Sequence, residues 1–226
     1  MNTSISNRVT EIRRRIDAAA GRSGAVTLVA ASKTMPAGLI REAIRAGVDA
    51  VGENRVQELL EKDAQGAYED APLHFIGRLQ KNKVSRLVGR VDLIHSVDSL
   101  PLARAIDSCA GRLGVVQSVL LQVNIALEET KGGFPPDAVA DALRDMSALP
   151  HLRVRGLMCI PPPLCSNGDT QYFVVMQQLY IDIRQKIADN IPMEILSMGM
   201  SDDFEPAIRA GANMVRIGSA LFGPRG

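Results

Sequence analysis

The feature that most restricts the fold of this chain is an alternation that repeats eight times. Short apolar runs, rich in Val, Ile and Leu, are each followed by a stretch with helical spacing, and no Ser/Gly-rich linker interrupts the series. The runs predict strands over Val26–Ser32, Ala50–Gly52, Leu73–Ile76, Leu93–Ser96, Ser118–Asn124, Val154–Cys159, Glu194–Met198 and Met214–Ile217. Helices are predicted over Pro36–Ala46, Arg55–Ala67, Lys83–Val88, Leu100–Ala110, Asp137–Ala148, Thr170–Ala188 and Asp203–Ala210, with a short terminal element at Ser219–Phe222. Gly47, Gly111 and Gly211 read as stops, and Pro36 as an early helical residue. Strands that alternate with helices lie parallel, because each crossover returns the chain to the same edge. Eight such units in 226 residues point to a closed (β/α)8 barrel of the α/β class. The competing open doubly wound sheet would carry a glycine-rich turn after its first strand if it bound a dinucleotide, and Lys33-Thr34-Met35-Pro36 has no glycine. Ile5, Val9, Ile12 and Ile16 recur at helical spacing and predict an extra leading helix at about residues 4–20. The barrel then occupies about 26–223, and the whole of 1–226 reads as a single domain.

The bulk numbers narrow the function. With 46% hydrophobic and 23% charged residues the chain can bury a sizeable core. A formal net charge of +1 argues against nucleic acid as the main ligand. The basic segment Arg78, Lys81, Lys83, Arg86 and Arg90 reads as a solvated helix face that could help attract an anionic small molecule. No apolar stretch is long enough to cross a bilayer, and Met1–Thr10 has no signal-peptide core. Cys109, Cys159 and Cys165 lack metal or redox spacing, which favours reduced thiols and a cytoplasmic location. His74, His95 and His151 are far apart and form no ligand pair, so no metal is expected.

In such a barrel the chemistry sits at the C-terminal ends of the strands. Lys33, Glu53-Asn54, Gly77, Ser96, Asn124, Cys159-Ile160, Gly199 and Gly218 fall there. A lysine ending a buried strand is costly to hydrate poorly; its amine turns neutral and nucleophilic and is suited to a Schiff base with a carbonyl. The plainer alternative is that Lys33 is the first solvated loop residue. The last two strands end in Ser197-Met198-Gly199-Met200-Ser201 and Arg216-Ile217-Gly218-Ser219, and barrels commonly bind phosphate at this position. Asp202 and Asp203 read as caps of the following helix. Arg216 lies in a buried strand and needs partners for its donors, either a carboxylate such as Glu194 or a cofactor atom. Asn54 and Asn124 are each readable as a helix cap or as a ligand-facing amide. A Schiff-base lysine with a phosphate site calls for a phosphorylated aldehyde, which pyridoxal 5′-phosphate (PLP) satisfies and a sugar-phosphate aldolase substrate satisfies as well.

Ala31-Ser32-Lys33-Thr34, Gly52-Glu53-Asn54, His74-Phe75-Ile76-Gly77, Gly156-Leu157-Met158, Leu196-Ser197-Met198-Gly199-Met200-Ser201-Asp202-Asp203-Phe204 and Val215-Arg216-Ile217-Gly218-Ser219 occur in that order. Together they resemble the YggS/PROSC family of pyridoxal phosphate homeostasis proteins, from about Val26 to Gly223. The resemblance implies a barrel like the N-terminal domain of alanine racemase and PLP held covalently on Lys33. It also implies Ser197, Gly199, Met200, Gly218 and Ser219 around the phosphate, Arg216 toward the pyridine nitrogen, and Asn54 beside the ring. A fixed guanidinium disfavours a protonated pyridinium, and an unprotonated ring is a poorer electron sink. The chain ends at Gly226, without a second domain to supply a tyrosine base, and Tyr68, Tyr172 and Tyr180 are predicted on or beside helices. The expectation is therefore a monomeric, cytoplasmic PLP carrier without robust turnover, serving PLP-dependent apoenzymes; the alternative is an amino acid racemase of the alanine racemase type. Leu73 replaces the usual aromatic before His74, and Lys131-Gly132-Gly133 replaces the common Lys-Ser/Thr-Gly.

Overall fold

The computed structural model describes residues 4–21, 24–162, 170–186 and 192–223. Its strands are β1 (Thr27–Ala31), β2 (Ala50–Glu53), β3 (Leu73–Phe75), β4 (Leu93–Val97), β5 (Gln117–Val123), β6 (Leu152–Cys159), β7 (Ile195–Ser197) and β8 (Met214–Ile217). They pair in chain order as one closed parallel barrel, with β8 returning to β1 through Thr27↔Met214 to Ala30↔Ile217. The helices are α1 (Ile5–Ala20), α2 (Ala37–Arg45), α3 (Val56–Asp63), α4 (Leu100–Leu113), α5 (Val139–Ser147), α6 (Gln171–Lys186), α7 (Phe204–Arg209) and α8 (Ser219–Phe222). Both faces of the strands are buried, which is why their sequences run apolar without alternating. Val29, Ala50, Leu93, Leu120, Met158, Ile195 and Met214 form a small interior cluster, while a larger layer packs between the strands and the helices.

The predicted barrel is the observed one, and the leading helix is present. α1 buries Ile5, Val9, Ile12, Ile16 and Ala20. They join a cluster with Leu28 and Val215 of the barrel and with Phe204, Ile208, Leu221 and Phe222. Ser4 caps the helix by accepting the Asn7 amide at 3.2 Å, and Gly21 ends it at φ 54°. Arg15 pairs with Glu205 at 2.9 Å and lies over the Phe204 ring. Each buried aliphatic contributes about 1.5–3 kcal/mol relative to exposure, so α1 is a fastening across the β8–β1 seam rather than an appendage.

The departures have local causes. The predicted helix at Lys83–Val88 is a 3-10 segment, Lys81–Arg86, in a stretch too short and too charged to propagate an α-helix. Asp137–Ala148 splits into a 3-10 turn at Pro136–Ala138 and then α5, because Pro135-Pro136 sets the entry. Gly111 does not stop α4; the helix runs on to the left-handed Gly114. Gly111 is there for packing, since a Cβ would come within 3.0 Å of the His151 ring. The end of the predicted Thr170–Ala188 helix, most of the Pro161–Asp169 loop and Cys165 lie outside the described residues.

Candidate functional site

The β1 ladder continues one residue beyond the strand, with the Ser32 amide donating to Gly52 O at 3.0 Å. Lys33 then begins a turn closed by Met35 N to Ser32 O at 3.0 Å, and it is partly exposed. Thr34 follows at φ 65°, a conformation that a β-branched residue adopts only when held there. The hold is a charged cluster behind the β1–β2 wall. Lys62 Nζ of α3 donates to Ser32 O at 2.8 Å and pairs with Glu53 and Glu58 at 2.7 Å each. Glu58 accepts the Thr34 amide, and Glu53 accepts the Ser32 hydroxyl at 2.6 Å and the Tyr68 hydroxyl at 3.2 Å. Burial, reinforced by Glu53, pushes the Tyr68 phenol well up, so it stays a donor. Both neighbours of Lys33 are thus fixed from outside the barrel. Strand alternation turns Glu53 to that outer face, so it supports the site and does not line it.

Asn54 does not cap α3: the N-cap is Arg55, and no side chain bonds to the helix start. Asn54 Oδ1 is instead buried with no hydrogen-bond partner, and so is Ser96 Oγ at the end of β4. Gly77 permits this arrangement, since a Cβ there would lie 2.1 Å from Asn54 O. Asn124, by contrast, is a loop staple. Its amide donates to Glu128 O and Lys131 O, and its carbonyl accepts the Glu128 amide.

The loops after β7 and β8 are joined by Ser201, whose Oγ accepts the Gly218 and Ala220 amides at 3.2 Å each. Gly199 has φ 92°, and a Cβ there would meet Ala207 at 2.7 Å and the Phe204 backbone at 3.0 Å. Asp203 does not cap α7 with its side chain; its Oδ1 accepts the Met200 amide and closes the turn. Gly218 lies against β1, where a Cβ would stand 3.2 Å from Ala31 O. The β8–β1 pairing therefore sets the second glycine loop beside the Lys33 turn. Met200 is exposed on the first loop and Ser219 at the start of α8.

The barrel interior carries a polar chain. Arg216, 4% exposed, donates from Nη1 to Ser197 Oγ at 2.6 Å and from Nη2 to Cys159 O at 2.9 Å. Its proposed partner Glu194 pairs instead with Arg155. Ser197 Oγ lies 3.2 Å from His95 Nδ1, and His95 Nε2 lies 3.1 Å from His74 Nδ1. β4 and β7 are not neighbours, so the His95–Ser197 bond spans the interior. Burial pushes His74 down to about 4 and His95 well below the usual histidine range, with Arg216 adding to the latter, so both imidazoles are neutral. Burial also raises the Cys159 thiol to about 12, which leaves it unreactive.

The reading of the histidines as far apart is therefore corrected for His74 and His95. They are distant in sequence but sit on adjacent strands with the same inward parity. The available signal was a polar residue in each of two consecutive apolar runs. The hydroxyl of Ser197, expected near a phosphate, is engaged by Arg216 and His95. Among the described residues no group of three or more His, Cys, Asp and Glu could hold a metal ion, and no helix is long and apolar enough to cross a membrane.

An amine beside the glycine loops, a buried guanidinium, and two buried oxygens lacking partners form a set of donors and acceptors that fits a phosphorylated aromatic aldehyde. Comparison with known proteins bears on this. Residues 8–226 match the model of the alanine racemase N-terminal domain. The pyridoxal phosphate homeostasis protein of Aquifex aeolicus (strain VF5) is 44% identical over 96% of this chain and 97% of its own. That of Pseudomonas aeruginosa is 39% identical over 99% and 96%. Among solved structures, PipY of Synechococcus elongatus PCC7942 with PLP bound superposes with a TM-score of 0.85 at 36% identity, over 97% of this chain and all of PipY.

Proposed function

The chain belongs to the pyridoxal phosphate homeostasis proteins, on the alanine racemase N-terminal domain fold, and from that premise we propose that it holds PLP covalently on Lys33 and keeps it for delivery rather than turnover. The observation that carries the reading is the joint geometry of the Lys33 turn and the two glycine loops: the β8–β1 pairing sets the Gly218 loop beside the turn, and Ser201 ties the Gly199 loop to it. The Lys33 amine would add to the aldehyde with loss of water, giving a reversible Schiff base. Gly199, Met200, Gly218 and Ser219 would surround the phosphate, with Ser197 beneath it on Arg216. Asn54 would offer its unpartnered Oδ1 to a ring substituent. When bound, PLP supplies an electron sink; the residues around it set how far that sink is used. Arg216 remains charged and donating, so a guanidinium turned to the ring nitrogen keeps that nitrogen an acceptor. The sink is then weak, which supports storage over racemisation.

In this reading a single barrel domain acts as a monomer in the cytoplasm, with PLP-dependent apoenzymes as recipients. The two described cysteines, Cys109 and Cys159, are buried and unpaired, in keeping with a reducing compartment. The test is equilibrium PLP binding followed by absorbance, together with racemisation across an amino acid panel. Wild-type protein should bind PLP and racemise nothing appreciably, and Lys33→Ala should lose the Schiff-base absorbance. Sustained racemisation by wild type would replace the carrier reading with the enzyme reading.

A further inference from the structure

We propose that His95 is a positioning residue for Arg216, acting through Ser197 and backed by His74. This rests on the reading that Arg216 faces the ring nitrogen of bound PLP, and goes beyond it by naming what aims the guanidinium. Arg216 has no ion pair with a carboxylate among the described residues. Its direction is set by two neutral acceptors, Ser197 Oγ at 2.6 Å and Cys159 O at 2.9 Å. Cys159 O belongs to a strand backbone and is fixed. The Ser197 hydroxyl rotates, so something must fix it.

The proton bookkeeping selects one arrangement. Guanidinium only donates, so Ser197 Oγ accepts from Arg216. Ser197 is fully buried, and the other partner of its Oγ is His95 Nδ1 at 3.2 Å. Its single proton therefore goes to Nδ1. His95 then carries its own proton on Nε2 and donates to His74 Nδ1 at 3.1 Å. His74 in turn carries its proton on Nε2. His74 also lines a cavity of about 470 Å³ at the N-terminal end of the strands, together with Asp92, Arg155 and Glu194. The chain therefore runs one way, from the guanidinium to the floor of the barrel, with each bond filled once. In the opposite arrangement His95 would donate to Ser197, and a buried hydroxyl proton would lack an acceptor, which is the costly outcome. His95 is fully buried, and its two ring nitrogens are spent on Ser197 and His74.

The experiment compares binding of PLP with binding of 1-deaza-pyridoxal 5′-phosphate, in which CH replaces the ring nitrogen. The two share the aldehyde and the phosphate and differ where Arg216 acts. Wild type should prefer PLP by about tenfold, the scale of one hydrogen bond to a charged group. His95→Leu should shrink that preference to about threefold or less while leaving affinity for the deaza analogue nearly unchanged. His95→Gln keeps an acceptor and a donor and should restore the preference. Should His95→Leu fail to fold, His95→Phe, closer in volume and equally unable to accept the Ser197 proton, carries the same expectation. Equal weakening of both ligands, or an unchanged preference, would overturn the positioning role. Failure of the underlying reading looks different, because it appears in wild type: neither ligand binds, or both bind equally.

Discussion

The cluster behind β1 and β2 and the chain along the barrel interior are about equally buried, yet they handle charge in opposite ways. The first is ionic and pairs opposite charges directly: Lys62 meets Glu53, Glu58 and Ser32 O within 2.8 Å. The second keeps its imidazoles neutral and holds one guanidinium on a hydroxyl and a carbonyl. The difference matches what each supports. The ionic cluster pins backbone on both sides of Lys33 and holds Thr34 at positive φ, so it needs rigidity and has no ligand to answer. Among the described residues Arg216 makes no ion pair with a carboxylate, which keeps its charge available to an acceptor on the proposed ligand. A carboxylate there would neutralise the group proposed to face the ligand.

The largest expected effect comes from breaking the ionic cluster. Lys62→Met leaves the buried Glu53 and the half-buried Glu58 without their cation and should cost about 3–5 kcal/mol of stability. Urea unfolding checks this, and a loss below about 1 kcal/mol would show the cluster to be loosely solvated.

Acid should strike the other region. The folded pKa of His74 is depressed to about 4 against an ordinary 6.5, so between these values the unfolded chain binds more protons than the folded one. Its contribution is complete above pH 6.5 and is lost as pH falls toward 4. The size is about 3 kcal/mol. His95, depressed in the same direction, adds to it. Denaturant midpoints from pH 7 to 4.5 should fall in wild type and fall less in His74→Gln, whose side chain does not titrate. Parallel pH profiles for the two proteins would place the acid sensitivity elsewhere.

A smaller effect should follow at Asn54. Asn54→Ala removes a buried carbonyl oxygen that has no partner, so stability should change by less than about 1 kcal/mol, while PLP affinity should fall several-fold. Unfolding and absorbance titration read the two separately. A stability loss without an affinity loss would mean that Asn54 is structural.

Much of the fold was legible because parallel strands write themselves as apolar runs and helices as stripes. Ile5, Val9, Ile12 and Ile16 were readable from spacing alone, and all four are buried. Gly111 misled because a helix glycine chosen for contact with His151 looks like a stop. In the site, Lys33 and the glycine loops were legible from strand ends. Glu53 was not, because side-chain direction depends on strand parity, which apolar runs on both faces conceal; Lys62 was not, because its place beside Glu53 is set by how α3 docks on the strands. The His74–His95 pair was missed because closeness around a barrel is set by strand order, not by separation in sequence.

The central claim is that Lys33, and not the better-buried Lys62, carries the cofactor. Reducing the PLP-treated protein with borohydride and mapping the peptides by mass tests it most directly. A single pyridoxyl phosphate adduct on the peptide containing Lys33, absent from Lys33→Ala, is the predicted result; an adduct on Lys62 or another lysine, or no adduct at all, would contradict the account.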